Sequence, residues 1–144
     1  MRRLTRHPLA RALRVDKLTL AALEATLAGP VAPVSHALGA DPASLFHRAE
    51  RIVVRLAQAG LDAQVVAAAA AVGGGGAPGI ELPSAAVGLP EPLAMPLRSG
   101  AHVLRGELPA VVGRLEAGRL LLDLRSVLPE EDETLVAAIL AAQG

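Results

Sequence analysis

The stretch "AVVGRLEAGRLLLDLRSV", Ala110 to Val127, carries the reading of the fold. Two apolar runs flank Glu116-Ala117-Gly118, the pattern of a β-hairpin closed by a short glycine turn. Leu120, Leu122 and Leu124 alternate with Leu121, Asp123 and Arg125, the period-two spacing of a strand. Upstream, "LDAQVVAAAA" (61–70) also reads as a strand, although its alanines weaken the propensity. "IELPSAAVGL" (80–89) reads as another. "EPLAMPLRSGAHVLRGELP" (91–109) is interrupted by proline and glycine and has room for one short helix and a loop.

Helical patterns lie on both sides of these strands. "HPLARALRVDKLTLAALEATL" (7–27) predicts one helix from about Pro8 to Leu27, with Leu9, Leu13, Leu20, Leu23 and Leu27 in a stripe. Pro8 suits a first helical turn, and Gly29-Pro30 ends the run. Asp16 falls inside that stripe, where a carboxylate needs a partner or the edge of the core. "PVAPVSHALGA" (30–40) reads as a turn-rich connector. In "DPASLFHRAERIVVRLAQAG" (41–60), Asp41 is the expected N-cap, Pro42 the first helical residue and Gly60 the stop. Leu45, Ala49, Ile52, Val53 and Leu56 form its apolar face. Arg48, Arg51 and Arg55 form a basic stripe opposite, which reads as solvated surface. "PEEDETLVAAILAAQ" (129–143) places its acids in a first turn, where the helix dipole favours them. Central strands with helices outside predict an α+β fold, with a small antiparallel or mixed sheet covered by helices.

Composition limits the chemistry. The chain has 144 residues, about half of them apolar, enough for one modest core. Phe46 is the lone aromatic, so leucine, valine, isoleucine and alanine must do the packing. Net charge is zero, which gives none of the basic excess expected of a nucleic-acid binder. Absence of cysteine excludes disulfides, thiol catalysis and thiolate metal sites. No signal-peptide pattern follows Arg2, Arg3 and Arg6, and the longest apolar run, "VVAAAAAV", is far short of a membrane span. A cytoplasmic protein without membrane partners is therefore the expectation.

Several motifs bear on chemistry. Gly74, Gly76 and Gly79 match G-x-G-x-x-G, but Pro78 and a β-like "IELP" follow where a dinucleotide site requires a helix. That leaves either a linker between strands or a loop that passes close to a ligand. His7, His36, His47 and His102 show no metal-ligand spacing, so no metal site is expected. Ser35, Ser44, Ser84, Ser99 and Ser126 lack a nucleophile-elbow context. Arg11 and Arg14, three apart on the expected helix, present two guanidinium forks suited to an oxyanion. The same pair also reads as charge facing solvent opposite the leucine stripe.

Four blocks together resemble a known family. "HPLARALRVDKLTLAALEATL" closely resembles the segment that follows the cofactor lysine in bacterial L-seryl-tRNA(Sec) selenium transferases. "VGGGGAPGIELPSAAVGL" (72–89) resembles that family's glycine-rich block, with Gly76 and Ala77 where serine and a larger residue are common. "PAVVGRLEAGRLLLDLRSVLPEEDETL" (109–135) resembles two further blocks. The resemblance implies the small C-terminal domain of a fold-type-I pyridoxal-phosphate transferase. It implies a linking helix at 1–29 and the small α+β domain at 30–144. The implied activity of the complete enzyme converts seryl-tRNA(Sec) to selenocysteinyl-tRNA(Sec), with selenophosphate as donor and a homo-oligomeric assembly. It further implies that Arg11 and Arg14 hold the anionic donor and that Gly73, Gly74, Gly75 and Gly76 form a candidate active-site loop. The family's cofactor lysine lies upstream of these blocks. No catalytic residue and no bound pyridoxal phosphate are therefore expected of this chain alone. Lys17, its single lysine, is not expected to form the Schiff base. Two other readings stay open. One is a segment of a related pyridoxal-phosphate enzyme acting on a free amino acid or sugar acid; the other is a non-catalytic oligomerisation module.

Overall fold

The computed structural model describes residues 7–72, 79–100 and 108–143. The chain divides into two compact units, Met1–Ser35 and His36–Gly144. In the first unit, α1 (Leu9–Ala12) and α2 (Lys17–Ala28) contain no buried residue. A short α3 (Pro33–Gly39) occupies the stretch that reads as connector in the sequence. Its proline at the start and glycine at the end are ordinary helix boundaries, but seven residues give too little periodicity to reveal it.

The second unit is built on a four-stranded antiparallel sheet, order β1-β2-β4-β3. The strands are β1 (Gln64–Ala71), β2 (Glu81–Pro90), β3 (Arg114–Glu116) and β4 (Arg119–Asp123). β1 and β2 pair from Gln64↔Gly88 to Ala71↔Glu81, so the glycine-rich segment joins their ends. β3 and β4 form the hairpin expected from the sequence. Its turn is Ala117-Gly118, with φ of 49° and 74°. Both central residues lie in the left-handed region, as a turn matching the strand twist requires.

The register decides which side chains meet the core. Val65, Val87 and Leu122 lie opposite one another on one face of the sheet. Helix α4 (Pro42–Gln58) packs against β1 and β2, and α6 (Asp132–Gln143) packs against α4 and the short α5 (Ala94–Ser99). Leu45, Ala49, Ile52 and Leu56 of α4 are buried against Ala85, Val87, Leu89, Leu120 and Leu122. Asp41 caps α4 by accepting from Ser44 N–H at 2.9 Å, and Gly60 follows its last turn at φ 80°. Phe46 is only partly buried at the margin, so the core is aliphatic throughout. The α+β expectation and the small antiparallel sheet are therefore observed.

The basic stripe of α4 is not solvated as expected. Arg48 is buried at 5 % exposure. Its Nη2 and Nε donate to the Asp132 carboxylate at 2.6 and 3.1 Å, and it also donates to the carbonyls of Leu124 and Val127. Arg55 forms an exposed pair with Glu133, and Arg51 remains exposed. One residue of the stripe thus faces α6, because the first turn of that helix supplies an acid exactly where α4 presents its cation.

Candidate anion site

The Pro8–Leu27 helix is broken in the structure. α1 ends at Ala12, Arg14 and Val15 lie outside any helix, and Asp16 is extended (φ −75°, ψ 170°). Asp16 Oδ1 accepts from the N–H groups of Leu18 and Thr19, both at 2.8 Å. The expected misfit within the leucine stripe is thus an N-cap that starts a new helix, a position where aspartate is strongly favoured. Charge is concentrated at one end of the segment because that end contains a helix boundary.

These bonds favour the ionised carboxyl. The Thr19 N–H is the leading cause that holds Asp16 below its ordinary value, with partial desolvation opposing and the Leu18 N–H assisting. A depressed native value means that the cap contributes above the unfolded carboxyl pKa and is lost as pH falls through the native one. The amide protons of Leu18 and Thr19 should therefore hold their shifts at pH 6 and move together only below about pH 4. In Asp16→Asn the cap oxygen survives without titrating, and the two amides should lose that transition.

Arg11, in the last turn of α1, and Arg14, just beyond it, line one shallow depression together with His7, Pro8 and Ala10. The expected helical i,i+3 geometry is absent, since Arg14 is not helical, yet both residues line the same concavity. Among the described residues neither arginine is ion-paired. Two planar donor groups on residues that line one hollow, with no ion pair among the described residues, can bind a tetrahedral oxyanion through several oxygens. Lys17 stands exposed at the first position of α2. No three histidine, aspartate or glutamate side chains gather as a metal set among the described residues. Gly73, Gly74, Gly75 and Gly76 lie outside the described residues. Gly79, just beyond them, has φ 76°, a conformation that suits glycine.

The second unit contains a polar cluster that the sequence did not reveal. Ser84 Oγ donates to Asp123 Oδ1 at 2.5 Å, and the same carboxylate accepts from Arg125 N–H and from Arg114 Nη1. Arg114 is held more firmly protonated than usual, first by its bond to Glu116, with burial opposing and Asp123 adding support. Arg125 is buried at 7 % exposure and donates to the carbonyls of Ala37 (2.7 Å), Ala40 (3.0 Å) and Pro83. It joins the end of α3 to the first half of β2, a few residues beyond the glycine-rich segment. The "LDLR" and "LPS" strings are therefore two halves of one hydrogen-bonded lock. Beside it, a cavity of about 510 Å³ lies between Pro109–Arg114, β4 and the start of α6.

Comparisons with known proteins agree on one family. The family sequence model described as L-seryl-tRNA selenium transferase matches residues 1–128. The L-seryl-tRNA(Sec) selenium transferase of Carboxydothermus hydrogenoformans is 36 % identical over 90 % of this chain and 29 % of its own length. Its counterpart in Moorella thermoacetica is 40 % identical over 94 % of this chain and 31 % of its own. That of Nitratidesulfovibrio vulgaris is 38 % identical over 99 % and 32 %. This chain thus spans about a third of the length of the curated relatives it matches. Four blocks in order, and a match across nearly all of the sequence, place it: the chain belongs to the L-seryl-tRNA selenium transferase family.

Proposed function

We propose that this chain supplies the donor-binding segment of a selenium transferase. The complete enzyme would convert seryl-tRNA(Sec) to selenocysteinyl-tRNA(Sec) with selenophosphate, as a homo-oligomer in the cytoplasm. The observation that carries this reading is the convergence of Arg11 and Arg14, both without an ion-pair partner among the described residues, on one hollow. Selenophosphate is a tetrahedral anion, and paired guanidiniums offer it directional donors and compensating charge. Held there, its selenium would be oriented toward the reacting carbon while its oxygens stay occupied.

Pyridoxal phosphate, proposed for the complete transferase as an electron sink, does not fit the residues described here. Lys17 is the sequence's one lysine, and its place at an exposed helix start gives no enclosed pocket for a planar ring. The cofactor would be held by the remaining two thirds of a family-length enzyme, and this chain alone would not catalyse transfer. The 1–29 segment would then be the link to that larger part, and 30–144 the small domain of a fold-type-I architecture. Gly73–Gly76 remains a candidate active-site loop.

A partner is also favoured by the first unit's own surface. Leu18, Leu20, Leu23, Leu27, Val31 and Val34 are all half or more exposed. Such a run of exposed apolar side chains marks a contact surface. It supports docking onto the larger part, or the second reading of an oligomerisation module.

The test uses a chimera in which this chain replaces the matching segment of the Moorella transferase. Arg11→Ala with Arg14→Ala should cut selenium transfer by two orders of magnitude or more, about 3 kcal/mol of transition-state stabilisation, while cofactor absorbance stays intact. Unchanged transfer in the double variant would remove both arginines from the site.

A further inference from the structure

His7 lines the same hollow as Arg11 and Arg14. Its Nδ1 lies 3.2 Å from the backbone N–H of Leu9. A backbone N–H can only donate, so Nδ1 must present its lone pair. In the neutral imidazole the proton then resides on Nε2, at the opposite side of the ring. The Leu9 N–H thereby selects the tautomer, and among the described residues Nε2–H has no partner.

From this geometry we infer that His7 is a third ligand of the anion site, donating through Nε2–H to an oxygen of a phosphate-type tetrahedral anion. The inference rests on the reading of Arg11 and Arg14 as anion ligands and extends it. Arg11 stands in the last turn of α1, Arg14 just beyond that helix and His7 just before it, and all three line the one hollow. A tetrahedral anion has several acceptor oxygens, and a third donor can occupy one that the two guanidinium forks leave open.

The experiment is a titration of the ¹⁵N-labelled 144-residue chain with inorganic phosphate, following the His7 ring nitrogens and the Nε resonances of Arg11 and Arg14. Without phosphate, His7 should show a protonated Nε2 and a bare Nδ1; the opposite pattern overturns the inference. Phosphate should move His7 Nε2 with both arginine signals, on a single binding curve. His7→Phe should weaken binding about tenfold, the loss of one hydrogen bond to a charged acceptor. His7→Gln, whose amide can donate, should recover part of it. Movement of the arginines alone, with His7→Phe binding as the unaltered chain does, would exclude His7 and leave the arginine pair standing. No movement at any of the three would overturn both readings together.

Discussion

Arg48→Ala should destabilise the His36–Gly144 unit by about 3–5 kcal/mol, the usual cost of breaking a buried ion pair by removing one partner. The side chain is only 6 % exposed and its partner Asp132 16 %. Truncation strands the Asp132 carboxylate and removes the donor to two further carbonyls, those of Leu124 and Val127. Arg55→Ala, two turns further along the same stripe, removes a pair whose side chains are 44 % and 77 % exposed. Water replaces that contact, and the expected cost is under about 1 kcal/mol. In urea, with a slope of about 2 kcal/mol per molar, Arg48→Ala should lower the midpoint by about 2 M and Arg55→Ala by less than about 0.5 M. Equal effects would mean that the two arginines are equally solvated, against the geometry. Arg48→Met with Asp132→Leu should recover much of the loss, because neither partner is then left buried and unpaired.

Arg125→Met should give the second large effect, about 2–3 kcal/mol. Three carbonyl oxygens lose their donor at once, and one guanidinium bridges elements far apart in sequence. The loss should be partial, because Ala37, Ala40 and Pro83 each retain some access to water. Its distribution is more diagnostic than its size. Amide exchange should quicken in α3 and around Pro83–Ala85, while the centre of α4, from Ala49 to Leu56, keeps its protection until global unfolding. Uniform acceleration across the unit would show that Arg125 is only one more contributor to a common core.

The hairpin and α4 were legible because each carries its own punctuation. Gly118 sits between two apolar runs, and Asp41-Pro42 with Gly60 bracket seventeen helical residues. The break before α2 was also written in the sequence, as an aspartate ahead of an apolar run. Leucine periodicity continuing across 13–16 masked it, since spacing alone cannot distinguish one helix from two in similar phase. Arg48 was illegible for a different reason. An arginine at i, i+3 and i+7 looks the same whether it meets water or an acid, and Asp132 is 84 residues away. The Ser84–Asp123–Arg125 lock is likewise a product of strand register, which pairs Ala86 with Asp123.

For the site, the residue types of Arg11 and Arg14 were informative and their local geometry was not. Two guanidiniums close in sequence suggested an oxyanion. Arg14 lies between two helices rather than within one, and both arginines line one hollow. The state of the His7 ring has no sequence signature at all, because it depends on where a single backbone N–H points.

The most direct measurement is transfer of labelled selenium from selenophosphate to seryl-tRNA(Sec) by the Moorella chimera carrying this chain in place of its own matching segment. Selenocysteinyl-tRNA(Sec) should form, and its formation should depend on Arg11 and Arg14. A chimera that folds, assembles and shows the cofactor's normal absorbance, yet leaves the seryl group unchanged, would contradict the account.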